Sequence, residues 1–374
     1  MSAREVAARR RQRLNEAMEE AGVDLMILFG NAWQNDYLRY AADFGILEGE
    51  GIAVVRRDGD TTLYLDDSFE AERAAIECPD IGIVASDDMV GEVADLLTRA
   101  GNLRLAAGPR RTLPSRLSQH RDEHGALDAT SMIDRLLMLK TEEELNAIRS
   151  AAHLADEGYA VFRGAAREGR ADYELVAEIE AFFRANGVDD NFMLVGVGGP
   201  EVRGMTPPTG RRLRRGDLVT TELTPCVDGY YVQICRTLAV GEPSAAQQKA
   251  FSVYHEAMLA GIATVAPGVT AAAVAKAEND VFRRYGLGEY TTSEYTRVRG
   301  HGLGLFPDTK PQILESVETP IEQGMSLIVH PNTYHPEVGY IVLGDSLIVG
   351  AKGAEVLTKT ARELFGTTQT GRGA

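Results

Sequence analysis

The stretch from Gly216 to Thr237, GDLVTTELTPCVDGYYVQICRT, decides how the rest of the chain is read. It reads as two strands about a turn. Leu218 to Leu223 is apolar and threonine-rich, Pro225 to Gly229 supplies the bend, and Tyr230 to Leu238 is apolar and aromatic again. Two polar side chains interrupt the apolar runs, Glu222 in the first strand and Gln233 in the second. A carboxylate in a buried strand is costly unless a partner, a proton or a cation compensates it. One explanation is a satisfied polar pair in the core, with Arg236 as the nearby cation. The other is a functional site.

Composition narrows the partners. The length of 374 residues suggests two domains, three at most, and 44% apolar with 25% charged residues is ordinary globular usage. A net charge of −16 argues against a general nucleic-acid or anionic-membrane binder. The basic clusters Arg9–Arg11–Arg13 and Arg211–Arg212–Arg214–Arg215 flank predicted elements and read as solvated faces. Cys78, Cys226 and Cys235 have no CxxC spacing, and their odd number gives no disulfide framework. No apolar run reaches the roughly 18 residues of a membrane span. The opening MSAREVAARRRQRLNEAMEE reads as an amphipathic helix, not a secretion signal. A cytoplasmic protein with reduced thiols is expected.

Along the chain, residues 4 to 21 predict a helix with Val6, Leu14 and Met18 on one side, followed by a buried strand at Asp24–Gly30. Ile52–Val55 and Thr61–Leu65 predict a hairpin through Asp58–Gly59. Alternating elements follow: a helix at Phe69–Glu77, a strand at Ile81–Ala85, a helix at Asp88–Ala100, a strand at Arg104–Ala107 and a helix at Arg111–His120. This is an α/β pattern. Thr141 with Glu144 three residues on is a capping box opening a long helix, so the domains are placed at residues 1–138 and 139–374.

In the second domain, a Gly/Pro-rich loop, GGPEVRGMTPPTGRRLRRGD, carries Arg203, Met205 and Thr206 at its centre. Helices at Ser244–Ala263 and Thr270–Tyr285 are separated by VAPGVT. Then comes RVRGHGLGLFPDTKPQI, where glycines on both sides of His301 predict a close approach of backbone to a site. The chain closes on strands within MSLIVHPNTYHPEVGYIVLGDSLIVGAKGAEVLT.

These pieces, in this order, resemble the creatinase/aminopeptidase P/prolidase ("pita-bread") family. GDLV, an acid, DGY, a polar residue and RT are similar to its second metal-binding hairpin. LKTEEELNAIRSAA resembles the first helix of its catalytic domain, and Gly300–Leu305 with Pro311 its His-ligand motif. The resemblance implies an α/β (α+β) fold in two domains: a small creatinase-like N-terminal domain and a pita-bread catalytic domain with a curved antiparallel sheet. It also implies a homodimer. In the family's metallopeptidases the ligand positions are Asp, Asp, His, Glu and Glu. Here they are Glu222, Gln233, His301, His330 and Gly344, with Asp345 retained and Asp308 where a second His is usual. Creatinase-like members also carry a catalytic His in the loop near Arg203, but this chain has none between His153 and His255.

Two hard dications need several carboxylates, so no dinuclear metal centre is expected. Three readings remain open. The first is a hydrolase cleaving a C–N bond in a small polar amide, urea or guanidine-like substrate without metal. His301 or His330 is then the base, and Glu222 either holds a cationic or amide part of the substrate or itself shuttles a proton. Arg203 or Arg299 would bind a substrate carboxylate, with Gln233, Asp308, His335 and Tyr231 as further substrate contacts. The second is a mononuclear enzyme holding one divalent ion on His301, His330 and Glu222, with Gln233 as a further ligand, for hydrolysis or a lyase step. The third is a non-catalytic peptide-binding domain.

Overall fold

The computed structural model describes residues 3–123 and 125–367, and the chain divides between Leu137 and Met138 into two compact units. In the first unit the helices are α1 (Ala3–Glu20), α2 (Asp36–Ala42), α3 (Ser68–Glu77), α4 (Met89–Arg99), α5 (Ser115–Glu123) and α6 (Thr130–Met138), the last running one residue into the second unit. The strands are β1 (Leu25–Asn31), β2 (Glu50–Arg56), β3 (Thr61–Leu65), β4 (Gly82–Ala85), β5 (Leu105–Gly108) and β6 (Leu127–Asp128). They form one mixed sheet in the order β4-β3-β2-β1-β5-β6. The expected Asp58–Gly59 hairpin joins β2 to β3 in antiparallel register.

Two details differ from the sequence pattern. Helix α1 buries Ala7, Arg10, Leu14 and Met18, while Val6 is only half-buried. Arg10 is tolerated inside because it pairs with Asp43. Helix α5 starts at Ser115 rather than Arg111, since Pro114 has no N–H to extend a helix but suits its start.

The second unit opens with α7 (Glu142–Ala165), started by the predicted box: the Glu144 amide donates to Thr141 Oγ1 and the Thr141 amide to Glu144 Oε2. Helices α8 (Asp172–Ala185), α9 (Ala245–Thr264) and α10 (Ala271–Arg284) follow in chain order. The strands are β7 (Asp190–Gly198), β8 (Leu218–Val227), β9 (Tyr230–Tyr231), β10 (Ile234–Ala239), β11 (Gly300–Gly302), β12 (Thr309–Gln312), β13 (Ser326–Val329), β14 (Thr333–His335), β15 (Gly339–Ile341), β16 (Gly344–Gly350), β17 (Gly353–Val356) and β18 (Phe365–Gly366). A ten-stranded sheet runs β12-β11-β13-β16-β10-β8-β7, with β17, β18 and β9 pairing onto β16, β10 and β8. Every pairing along that path is antiparallel.

Helices α9 and α10 bury one face of this sheet. Tyr254 and Phe282 meet edge to face at 5.0 Å above Leu327, Val329 and Leu347. The deciding hairpin folds as two strands, but its turn is tighter than expected. Pro225 remains in β8 opposite Asn191, and Asp228–Gly229 alone reverse the chain, both with positive φ as a two-residue turn requires.

Candidate active site

Strand register builds the site. Across β8, β10 and β16, Glu222 lies opposite Cys235, and Cys235 opposite Gly344. Directly opposed residues share a face, and Gln233, two residues before Cys235, shares it too. His330 follows β13 at the next position. A Cβ placed on Gly344 would stand 2.6 Å from the His330 Cβ and 3.3 Å from Cys235 Sγ. Glycine at 344 therefore gives His330 its place. His301 enters from β11, and its glycines are needed for close approach: a Cβ on Gly300 would meet the Ile328 carbonyl at 2.1 Å, and one on Gly302 the Lys310 carbonyl at 2.1 Å.

Glu222, Gln233, His301 and His330 line a cleft of about 800 Å³ within the second unit, together with Arg203, Asp308, Asn332 and Tyr340. Glu222 is buried. Its Oε1 accepts from Asn332 Nδ2 at 2.6 Å and its Oε2 from Gln233 Nε2 at 3.2 Å. Burial pushes its carboxyl up to about 7, against the opposing pull of Asn332, Arg297, Cys235 and Gln233. His301 and His330 stand edge to face, ring centroids 5.3 Å apart. Burial lowers both imidazoles, His330 far below the usual range, with the neighbouring His301 adding to the effect. His301 Nδ1 lies 3.0 Å from the Gly302 carbonyl. A carbonyl only accepts, so Nδ1 carries the hydrogen and Nε2 holds a free lone pair.

At the cleft wall, the Arg203 guanidinium lies 5.5 Å from the Tyr334 ring centre and 6.0 Å from that of Tyr295. It has no carboxylate partner among the described residues. Asp308 lines the cleft, paired with Arg297 and 3.8 Å from His301 Nδ1. Among the described residues, two buried polar atoms of the lining have no partner: Gln233 Oε1 and His330 Nδ1.

Several expected contacts fall elsewhere. Tyr231 donates its hydroxyl to Asp190 at 2.8 Å and does not line the cleft. His335 ends β14, where its Nδ1 accepts the Glu337 amide at 3.2 Å and shapes the turn into β15. Arg299 is buried behind the site. Its Nε donates to Asn279 at 2.6 Å and its Nη1 to the Asn332 carbonyl at 3.2 Å, so it is not a carboxylate receptor in the cleft. Arg236 does not compensate Glu222. It pairs with Asp345 at 2.7 Å, both groups fully buried. Burial alone would raise the Asp345 carboxyl, but Arg236 and Arg362 bring it below the usual range.

The sequence reading missed Asn332. The signal was a polar residue two positions after His330, in HPN, but only the fold brings it against Glu222.

Residues 146–351 match the model of metallopeptidase family M24, and residues 10–137 that of the creatinase/prolidase N-terminal domain. The chain belongs to family M24 and is a C–N hydrolase of the creatinase and Xaa-Pro peptidase type. It is 26% identical over 323 residues to the Xaa-Pro dipeptidase of Pyrococcus furiosus, covering 85% of this chain and 89% of that protein. It superposes on the Xaa-Pro dipeptidase from Bacillus anthracis with a TM-score of 0.82 at 28% identity, over 96% and 99% of the two chains. Dipeptidase PepE from Mycobacterium ulcerans gives 0.81 at 27% identity, over 97% and 98%.

A metallopeptidase family implies bound metal, and the donors of this cleft do not fit it. Among the described residues no three His, Cys, Asp or Glu side chains come together so as to hold a metal ion. Glu222 has both oxygens turned to amide N–H donors, and Gly344 offers no ligand. The single-ion set of His301, His330 and Glu222 is thus not assembled, and Gln233 spends its Nε2 on Glu222 while its Oε1 stands without a partner among the described residues. Among the described residues no helix is long and apolar enough to cross a membrane.

Proposed function

We propose that this protein hydrolyses a C–N bond in a small polar substrate, an amide, urea or guanidine-like compound, by acid–base catalysis without a metal ion. The observation that carries this reading is the pairing, in one cleft, of a neutral His301 with a free Nε2 and a Glu222 that holds its proton up to about pH 7. Water gives its proton to His301 Nε2 as its oxygen bonds to the substrate carbon. Glu222 gives its proton to the departing nitrogen as the C–N bond breaks. His301 then returns a proton to Glu222. Tyr340, whose phenol burial holds in the protonated form, supplies an O–H donor to the cleft.

The same reading uses the unpartnered atoms. Gln233 Oε1 accepts a substrate N–H, and Arg203, held against Tyr334 and Tyr295, takes a carboxylate. It also takes the protein to be a cytoplasmic homodimer, a state that light scattering of the purified protein tests.

The deciding experiment is a turnover screen over small amides, ureas and guanidines, run with and without a chelator and with the His301→Ala variant. The expected result is turnover indifferent to chelation and reduced by about 10²–10⁴-fold in His301→Ala, with an unchanged melting temperature. Turnover that survives in His301→Ala, or vanishes with chelation, overturns the reading.

A further inference from the structure

In the family's metallopeptidases, carboxylates at the positions of Glu222 and Gln233 answer to metal ions. Here the carboxylate of Glu222 answers to two side-chain amides. We propose that Asn332 is the positioning residue of this site. With Gln233 it supplies the N–H donors that orient Glu222. The inference rests on the metal-free reading above and adds to it a residue and the means by which metal is kept out.

Asn332 is fully engaged and 2% exposed. Its Nδ2 donates to Glu222 Oε1 at 2.6 Å, and its Oδ1 accepts the Leu343 amide at 3.0 Å. The Leu343 amide can only donate, so the Asn332 side chain has one orientation, with its NH₂ toward Glu222. The backbone is held equally. The Asn332 amide donates to the His330 carbonyl at 2.7 Å, and Arg299 Nη1 donates to the Asn332 carbonyl at 3.2 Å. Arg299 is itself anchored on Asn279 and lies over the Phe282 ring at 5.0 Å.

Gln233 is pinned from the other side. Ser346 Oγ accepts the Gln233 amide at 2.9 Å and donates to its carbonyl at 2.7 Å. Two neutral donors on rigid supports therefore take one lone pair on each oxygen of Glu222 and fix the plane of its carboxylate. The third ligand position is closed by packing, because His330 fills the space beside Gly344.

The consequence is specific. In Asn332→Asp, one carboxylate oxygen keeps the Leu343 amide and the other faces Glu222 Oε1 with no N–H donor between them. Two facing carboxylates need a shared proton or a cation. The test is calorimetric titration with MnCl₂, and thermal melting in chelator and in MnCl₂, on the full chain as wild type, Asn332→Asp and Gln233→Asp/Asn332→Asp.

Wild type is expected to give no binding heat and no shift in melting temperature. The variants are expected to melt lower in chelator. They should recover by a few °C when Mn²⁺ exceeds its dissociation constant about 100-fold, and the double variant should bind more tightly. A merely structural Asn332 would show the destabilisation without the metal-dependent recovery, and that result overturns the proposal. If Asn332→Asp fails to fold, the isosteric Asn332→Leu serves as the second variant. It removes the donor without adding charge, and it is expected to shift the pH profile of wild-type turnover. An unchanged profile overturns the role.

Wild type binding one Mn²⁺ per chain in the cleft overturns the metal-free reading itself. Metal-free wild type beside an unresponsive Asn332→Asp overturns only the role of Asn332.

Discussion

Glu222 is the residue whose surroundings matter most. Its carboxyl has an ordinary value near 4.5 and is pushed to about 7 by burial. The unfolded chain releases that proton as pH rises through the ordinary value, whereas the folded chain holds it to about 7. The contribution of Glu222 to stability is therefore intact below the lower value, is lost between the two, and stays lost above the upper one. The loss is on the order of 3 kcal/mol. Denaturant melts of wild type and Glu222→Gln should show it. The variant should gain relative to wild type as pH rises from about 5 to about 8, and a difference that stays flat with pH contradicts the assignment. Catalysis should follow the same group, with the basic limb of the rate profile near pH 7, where Glu222 loses its proton. The acidic limb should lie below the usual imidazole range, since burial keeps His301 neutral.

At the scale of elements, the sheet couples positions 330 and 344 to one another. Strands β10, β13 and β16 pack so closely at Gly344 that a methyl group there meets the Cβ of residue 330, whatever the rest of that side chain is. Restoring Glu at both 330 and 344 therefore requires the strands to move apart. Gly344→Ala is expected to destabilise by about 1–3 kcal/mol, read as a fall in the denaturant midpoint; a neutral result would mean that the strands part freely. One layer away, Arg236–Asp345 ties β10 to β16 without exposure to water, while Thr358 and Arg362 complete the hydrogen bonds of the carboxylate. Asp345→Ala leaves Arg236 buried and uncompensated, at a cost of about 3–5 kcal/mol. A loss below about 1 kcal/mol would mean that water reaches the pair.

For the whole molecule, the fold does not depend on a metal in this reading. The second unit is held by the packing of α9 and α10 on a continuous antiparallel sheet, with Phe251, Tyr254, Met258 and Phe282 in its core. Dialysis against a chelator should leave the melting temperature where it was. A protein whose fold needs metal would lose its cooperative transition under the same treatment. Such a loss here would show that a cation organises the cleft.

Much of this was legible in the amino-acid order, wherever the cause is local. The Thr141–Glu144 box, the Asp58–Gly59 reversal and the glycines beside His301 each work within a few residues, so each could be read directly. The resemblance to the peptidase family, and the replacement of its carboxylates at 233, 330 and 344, also needed no coordinates. Tyr231 and His335 were misplaced because nearness along a strand says nothing of the face a side chain takes. What holds Glu222 was decided only by tertiary structure. Its partner Asn332 lies 110 residues away and meets it only when strands distant in sequence come into register. Arg236 is nearer in sequence, but the sheet turns it toward Asp345. Local propensity can announce a strand, a cap or a close approach. The partner of a buried charge is set by which strands become neighbours, and that is a property of the assembled sheet.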